Sequence, residues 1–143
     1  MGVVVVGVDG SDASMDALRF AANEARQRAV PLRVVCGWNP PVTGKWPAGI
    51  MVDPEPFERA AHHAIDAMIT AVESELEGIK VEPIVAAGGG ATALLEHCTD
   101  ATILVVGSRG RGGFKGLLLG SVSQQVVLHA PCPVIVVRHP PEN

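Results

Sequence analysis

The sequence has few aromatic residues and no tyrosine. Aromatic side chains make up 3% of its 143 residues. Proteins that bind single-stranded nucleic acid stack the bases on aromatic side chains, so this composition argues against that class. An excess of basic residues is also missing, because 11 Lys and Arg stand against 15 Asp and Glu and give a formal net charge of −4. Nucleic-acid-binding domains are typically basic, and we therefore expect no nucleic-acid partner.

Long apolar segments, a secretion signal and metal-ligand clusters are missing as well. The apolar runs are far shorter than the roughly 20 residues that cross a bilayer, and the start MGVVVVGVDG has neither a basic region nor an A-x-A site. The three cysteines, Cys36, Cys98 and Cys132, form no CxxC pair, and the histidines are scattered. We therefore expect reduced thiols in a cytoplasmic protein that has no membrane partner and no dedicated metal site.

Short apolar runs are what the sequence has in quantity. Five of them are rich in Val and Ile and are continuously apolar: residues 3–8, 32–36, 81–86, 103–106 and 134–137. Runs without alternation are typical of strands that are covered on both faces, as in a parallel sheet. A length of 143 residues predicts one domain, which we place at residues 1–143.

Helical patterns separate the predicted strands. Ser11 is suited to cap a first helix, which we expect Pro31 to end. A second helix is predicted over residues 57–76, with Gly78 after its end. The segment before it, from Asn39 to Pro56, is rich in proline and is predicted to be a long loop of unknown role.

Two further helices complete the alternation. The third is predicted to begin at the glycines of residues 88–90, and the last runs from Gly120 to about Ala130. Five strands that alternate with four helices predict a doubly wound α/β domain. Its five-stranded parallel sheet would carry helices on both faces, with right-handed crossovers.

A glycine-rich segment between the fourth predicted strand and the last helix has the composition of a phosphate site. It runs from Gly107 to Gly116 and leads to the helix start at Gly120 and Ser121. Glycine lets backbone N–H groups approach an anion closely, and a helix N-terminus favours negative charge. Three basic residues lie in the segment, namely Arg109, Arg111 and Lys115. The alternative interpretation is a solvated loop whose basic residues aid solubility.

Asp9 follows the first predicted strand directly. In open parallel sheets, ligands bind at the carboxyl ends of strands where the strand order reverses. Asp9 could accept the ribose hydroxyls of a nucleotide there, or it could cap the following helix or a turn, and its position supports both interpretations equally. A Walker A motif and a GxSxG elbow are absent from the sequence, and Asp9 has no obvious acid–base partner. The sequence therefore favours a binding site over an active site.

The spacing in the glycine-rich segment resembles that of a known family. Gly107, two residues, Gly110, nine residues and then Gly120 with Ser121 match the G-x2-G-x9-G-[ST] motif of the ATP-binding branch of the universal stress protein family. The stretches VVVVGVDGSDASMDAL and ILVVGSRGRGGFKGLLLGSVSQQVVLHAPCPVIVV extend the similarity over nearly the whole chain. The resemblance implies a sheet of strand order 3-2-1-4-5 that binds ATP or another adenine nucleotide. Mg²⁺ or Mn²⁺ would be held through the phosphates.

The resemblance also implies which residues form the site. Phosphates and ribose would be held by Gly107, Gly110, Gly120, Ser121 and Ser123. The predicted site also includes three other residues of the same segment, Ser108, Arg109 and Arg111. The acidic residue near the ribose would be Asp9. Backbone near the adenine and sugar would come from Gly7, Val8 and Gly37. The pocket would be lined by Val106 and Val122.

The resemblance further implies an assembly and a role. Family members are generally cytoplasmic homodimers that often pair through the last strand, here Pro133 to Arg138. An apolar edge strand of this kind would also be exposed in a monomer. We expect a nucleotide-binding stress-response regulator that is not an enzyme and that is read by an unidentified protein partner. A cyclic-AMP-binding member, a slow ATPase and a nucleotide-free interaction protein remain alternatives, whereas the HxGH motif of adenylyl-transferring relatives is missing.

Overall fold

The computed structural model describes residues 2–39, 53–109 and 119–139. Strands and helices alternate through these residues in the order β1 (Val4–Gly7), α1 (Asp12–Arg28), β2 (Leu32–Trp38), α2 (Glu55–Ala71), β3 (Val81–Ala87), α3 (Gly89–Glu96), β4 (Ile103–Gly107), α4 (Ser121–His129) and β5 (Val134–Val137). One turn of 3₁₀ helix, Glu73–Leu76, follows α2. The alternation is the one that the sequence predicts.

All five strands are parallel and lie in the order β3-β2-β1-β4-β5. This confirms the predicted fold class and strand order. Val6 of β1 lies between Val34 of β2 and Val105 of β4, so β1 and β4 are neighbours at the centre of the sheet. The chain moves from β1 outward to β3 and then returns to the other side of β1. The carboxyl ends of β1 and β4 therefore flank the point where the strand order reverses.

Both faces of the sheet are covered by apolar layers. On one face, α1 and α2 pack over side chains that include Val4 and Val6. On the other face, α3 and α4 pack over a second cluster that includes Val3 and Val5. Val4, Val5 and Val6 are 0% exposed, and full burial of one such side chain stabilises the fold by roughly 1.5–3 kcal/mol. Because neighbouring residues of β1 enter different layers, the strand has to be apolar at every position.

The predicted cap of α1 is confirmed. The side chain of Ser11 accepts a hydrogen bond from the backbone N–H of Ser14 at 3.2 Å, and Asp12 lies in the first turn of the helix. This bond satisfies one of the N–H groups that a helix start leaves without a partner. The structure therefore places the first turn of α1 directly after the β1 loop.

The end of the first helix agrees with the prediction, whereas two predicted boundaries of the second helix were wrong. The first helix ends before Pro31, because Ala29 adopts a left-handed conformation with φ 55° and its N–H donates to carbonyls of the preceding turn. Pro56, predicted to lie in the loop, belongs to the first turn of α2, where its missing N–H has no helical partner to lose. That helix ends at Ala71, and the predicted remainder to residue 76 is the 3₁₀ turn. Residues 40–52 of the predicted loop lie outside the described residues.

Arg33 of β2 joins three segments at the amino-terminal edge of the sheet. Its guanidinium donates to both carboxylate oxygens of Asp100, at 2.7 and 3.2 Å, and to Glu82 of β3 at 3.2 Å. It also donates to the backbone carbonyl of His97 after α3 at 2.9 Å. The hydrogen bond from Arg33 lowers the pKa of the Asp100 carboxyl, and the bonds to Asp100 and Glu82 raise the pKa of Arg33. Bidentate pairing of arginine with a carboxylate is among the stronger side-chain contacts.

The pairing with Arg33 predicts an acid-sensitive contribution to stability. Because the pKa of Asp100 is lower in the folded than in the unfolded state, its stabilisation is present above the unfolded value and is lost as the pH falls through the folded value. We expect Asp100→Asn to lower the free energy of unfolding by roughly 0.5–1 kcal/mol near pH 7, a small effect because the carboxylate is 62% exposed.

Urea titrations from about pH 7 down to about pH 3 measure this difference. The difference should begin to shrink below about pH 4, the ordinary pKa of an unfolded aspartate, and should shrink further as the pH falls through the lower pKa of the folded carboxyl. Asp66→Asn, at an exposed position of α2, controls for the loss of one carboxylate. A difference for Asp100→Asn that stays constant over the whole pH range would contradict the pairing.

Candidate functional site

The loops that leave β1 and β4 start from fixed points at the carboxyl edge of the sheet. Val8, after β1, is 6% exposed and its N–H donates to the carbonyl of Val35 at 2.9 Å. Ser108, after β4, is 5% exposed and its N–H donates to the carbonyl of Val137 at 2.8 Å. The two segments that the sequence singles out therefore emerge beside each other at the point where the strand order reverses.

Two predicted site glycines are positions of close helix packing. A Cβ atom on Gly7 would lie 2.5 Å from Cδ1 of Leu94 in α3, and one on Gly37 would lie 2.4 Å from the carbonyl oxygen of Gly89. Both distances are too short for a real contact, so these glycines let α3 lie against the ends of β1 and β2. Their proximity to adenine and sugar remains a prediction, in addition to this packing role.

Gly107, the first glycine of the motif, has a packing role of the same kind. A Cβ atom there would lie 2.9 Å from the carbonyl oxygen of Ala13 and 3.2 Å from its Cβ. The first turn of α1 can therefore approach the end of β4 closely. This contact brings α1 against the crevice between the ends of β1 and β4. It lies on the face of the sheet opposite to α3 and α4.

Asp9 has a local structural role. Its Oδ1 accepts a hydrogen bond from the N–H of Ser11 at 2.9 Å, and its own N–H donates to Oγ of Ser14 at 3.2 Å. Because Ser11 is the cap of α1, Asp9 caps the turn before the helix rather than the helix itself, which is part of what the alternative predicts. A carboxylate has acceptor positions on two oxygens, so the cap and a contact with ribose are compatible. The ribose contact stays a prediction.

Hydrogen bonds bring the two ends of the glycine-rich segment together. The N–H of Gly120 donates to the carbonyl of Ser108 at 2.6 Å. Oγ of Ser123 donates to the carbonyl of Gly120 at 3.0 Å and approaches that of Ser108 at 3.4 Å. Ser123 is 2% exposed, so its hydroxyl holds the start of α4 onto the end of β4. This backbone role was missed by reasoning from the sequence, which assigns Ser123 to the ligand.

The start of α4 presents backbone N–H groups without a side-chain cap. Its cap residue is Gly120, and no side chain bonds to the cap. The N–H groups of the first turn have no partner within a helix, and Ser121 and Val122 are exposed there. A Cβ atom on Gly90 of α3 would lie 3.1 Å from Cγ2 of Val122, so the N-termini of α3 and α4 are neighbours. Two adjacent positive helix ends favour an anion.

The remaining predicted site residues are distributed as follows. Val106 is 3% exposed and belongs to the core beneath α3 and α4. Arg109 is exposed directly after the fourth strand. Gly110, Arg111 and Lys115 lie outside the described residues. The described part of the site therefore consists of the β1 loop, the end of β4 and the start of α4.

Two absences hold for residues 2–39, 53–109 and 119–139. These residues contain no group of three or more His, Cys, Asp or Glu side chains that could hold a metal ion. They also contain no helix whose length and apolar character would let it cross a membrane.

Comparisons with known sequences point to one family. A sequence model described as the universal stress protein family matches residues 1–138. A universal stress protein of Mycobacterium tuberculosis is 34% identical over 135 residues, which cover 94% of this chain and 44% of the relative. One of Mycolicibacterium smegmatis is 36% identical over 140 residues, which cover 94% and 45%. The chain thus spans about half the length of these curated relatives.

Solved structures agree with the fold. The universal stress protein UspA of Lactobacillus plantarum superposes with a TM-score of 0.78 at 23% identity, covering 96% of this chain and 97% of the other. A universal stress protein of Archaeoglobus fulgidus, solved in complex with dAMP, has a TM-score of 0.67 at 29% identity and covers 96% and 98%. The first likeness concerns the fold, and the second also provides a relative with a bound adenine nucleotide.

The packing of α3 on the sheet predicts a cost for a side chain at Gly37. Gly37→Ala should lower the free energy of unfolding by roughly 1–3 kcal/mol, because the new methyl group would meet rigid backbone at Gly89. Urea denaturation measures the loss. A stability within about 0.5 kcal/mol of wild type, the usual range for a neutral surface change, would contradict this packing.

Proposed function

The chain belongs to the universal stress protein family, and from this membership we propose that it binds an adenine nucleotide, with ATP as the ligand. The binding site would be the carboxyl edge of the sheet between β1 and β4. The observation that carries the proposal is the start of α4, where N–H groups without a side-chain cap lie beside the N-terminus of α3 and near the motif glycines Gly107 and Gly120. This arrangement suits an anion that brings its own acceptors.

The assignment to an adenine nucleotide has support from a relative. The Archaeoglobus fulgidus protein that is 29% identical over nearly the full chain was solved with dAMP. In this chain, phosphates would be held by the N–H groups at Ser121 and Val122 and by the nearby Arg109. Arg111 and Lys115 add positive charge to the same segment of sequence. Several basic residues suit a triphosphate better than a cyclic monophosphate, which is why we propose ATP ahead of cyclic AMP.

The other half of the nucleotide would lie over the β1 loop. Asp9 would accept the ribose hydroxyls while it keeps its bond to the N–H of Ser11. The backbone at Gly7, Val8 and Gly37 would border the adenine and sugar. A single carboxylate at this edge also fits Mg²⁺ or Mn²⁺, since such an ion takes most of its ligands from phosphates and water and one or two from protein.

We propose a regulatory role without turnover chemistry. Bound nucleotide would stabilise the folded domain, and a protein partner would recognise the bound state. A ligand at 100 times its Kd adds about 2.7 kcal/mol to the stability of the state that binds it.

The chain would act as a cytoplasmic homodimer that pairs through Pro133 to Arg138. Strand β5 is the last strand of the sheet, is half-buried along its length and pairs with β4 on one side. Light scattering that gives the mass of one chain would contradict the dimer.

A negative charge at the start of α4 should strongly weaken nucleotide binding. In Gly120→Glu, the carboxylate would stand at the helix end that is proposed to hold phosphates, and we expect the affinity for ATP to fall by roughly tenfold or more. Calorimetric titration measures this affinity, and circular dichroism checks the fold. Asn23→Glu adds the same charge at an exposed position of α1 and should bind ATP as wild type does.

The titrations also decide between the ligands. Unchanged ATP affinity in Gly120→Glu would reject the site. If the wild type binds cyclic AMP more tightly than ATP, cyclic AMP becomes the proposed ligand and the proposed site is unchanged. No binding of either nucleotide at millimolar concentration would favour a nucleotide-free interaction protein.

Asp9 should contribute to the affinity for ligands that contain ribose and not to the affinity for ligands that lack it. We expect Asp9→Ala to weaken ATP binding by roughly tenfold and to leave the affinity for pyrophosphate nearly unchanged, because pyrophosphate has no hydroxyls for the carboxylate to accept. Asp9→Asn keeps an oxygen for the N–H of Ser11 and separates the loss of the cap from the loss of charge. Equal losses for both ligands in Asp9→Ala would reject the ribose contact.

A further inference from the structure

Two cysteines from different segments meet at the amino-terminal edge of the sheet. Cys98 follows the end of α3, and Cys132 lies in the turn between α4 and β5. Their segments meet beside the start of β4, where the N–H of Ala101 donates to the carbonyl of Cys98 at 3.1 Å and the N–H of Leu104 donates to the carbonyl of Pro133 at 3.0 Å. The two thiols influence each other's pKa there. Both residues pack with the apolar cluster beneath α3 and α4, and both are free cysteines. The fold thus builds a thiol pair that the sequence does not show as a motif.

The two thiols have different surroundings. Cys98 is 0% exposed, and its thiol donates to the carbonyl of Leu95 at 3.7 Å. Cys132 is half-buried and has access to solvent. Burial raises the pKa of both thiols, whereas the contact between them lowers the pKa of Cys132 and raises that of Cys98. Cys132 is therefore the thiol that a dissolved oxidant can reach, and its raised pKa makes its thiolate more abundant at higher pH.

We propose that Cys98 and Cys132 form a dithiol that a peroxide converts into an intramolecular disulfide. The Cys132 thiolate attacks one oxygen of hydrogen peroxide, the O–O bond breaks, and one water leaves after proton uptake. Cys132 is then a sulfenic acid. The sulfur of Cys98 attacks the sulfur of Cys132, the S–S bond forms, the S–O bond breaks, and the second water carries away the proton of Cys98. Two thiols lose two electrons, and the peroxide gains them.

The packing favours the disulfide over deeper oxidation. A sulfenic acid that touches a thiol condenses with it, whereas an isolated one can react with further peroxide. Cys98 is held next to Cys132 by the surrounding core. Cys36 lies in the opposite core, under α1 and α2, and is 4% exposed. Cys36 therefore serves as an internal control when the cysteines are mapped after oxidation.

The disulfide would stabilise the segment that it encloses. It would close a loop that contains β4, the glycine-rich segment and α4, and would fix the end of α3 to the entry of β5. A cross-link of this span reduces the entropy of the unfolded chain. We expect the melting temperature to rise by roughly 5–10 °C on oxidation and to return on reduction. This inference does not depend on nucleotide binding.

Thiol mapping after oxidation tests the proposal. The purified chain is treated with hydrogen peroxide, unfolded in the presence of an alkylating agent and digested for mass spectrometry. We expect a peptide pair joined through Cys98 and Cys132, an alkylated Cys36, and a faster reaction at higher pH because the thiolate is the nucleophile. Reduction with dithiothreitol should restore three alkylated cysteines and the original melting temperature.

Single substitutions provide the controls. Cys36→Ala should still form the disulfide, whereas Cys132→Ser, at the half-exposed position, and Cys98→Ala should not show the rise in melting temperature. Three alkylated cysteines in the peroxide-treated wild type would overturn the proposal. So would a Cys132 sulfinic acid beside an alkylated Cys98, or a disulfide that joins two chains on a non-reducing gel.

Discussion

The burial of β1 on both faces constrains every other element of the fold. Its residues Val4, Val5 and Val6 are completely covered, and hydrogen bonds to β2 and β4 occupy both of its edges. Helices have to lie on both sides of the sheet to achieve this, so the chain must pass to opposite faces after β1 and after β4. The loops diverge at the carboxyl ends of these strands, and the crevice between them is a consequence of covering the core.

The glycines at this edge serve the same packing. At Gly7, Gly37 and Gly107, a side chain would collide with α3 or α1. Helices that approach the strand ends so closely bring their first turns to the mouth of the crevice. The start of α1 has a side-chain cap, since Ser11 accepts from the N–H of Ser14, whereas the starts of α3 and α4 have no side-chain cap. In the proposed function, the nucleotide supplies the acceptors that these two helix ends lack.

The opposite edge of the sheet has a different character. Arg33 ties β2 to β3 and to the segment after α3 through charged hydrogen bonds. The thiols of Cys98 and Cys132 meet nearby, where α3 ends and β5 begins. The Arg33 contacts and the thiol pair thus lie at the amino-terminal edge, and the groups suited to a ligand lie at the carboxyl edge. A change in the redox state of the thiol pair would act from the edge of the sheet opposite to the proposed nucleotide site.

The sequence by itself determined the features that depend on neighbouring residues. Unbroken apolar runs predict strands that are buried on both faces, and Ser11 predicts the start of α1, because side-chain periodicity and capping act over a few residues. The spacing from Gly107 to Ser121 carries the resemblance to the family. Only the tertiary structure decided the packing role of Gly37, the joining of Ser108 to Gly120, the Arg33 contacts and the thiol pair. Each joins residues that are distant along the chain, and local patterns carry no information about which distant groups the folded sheet brings into contact.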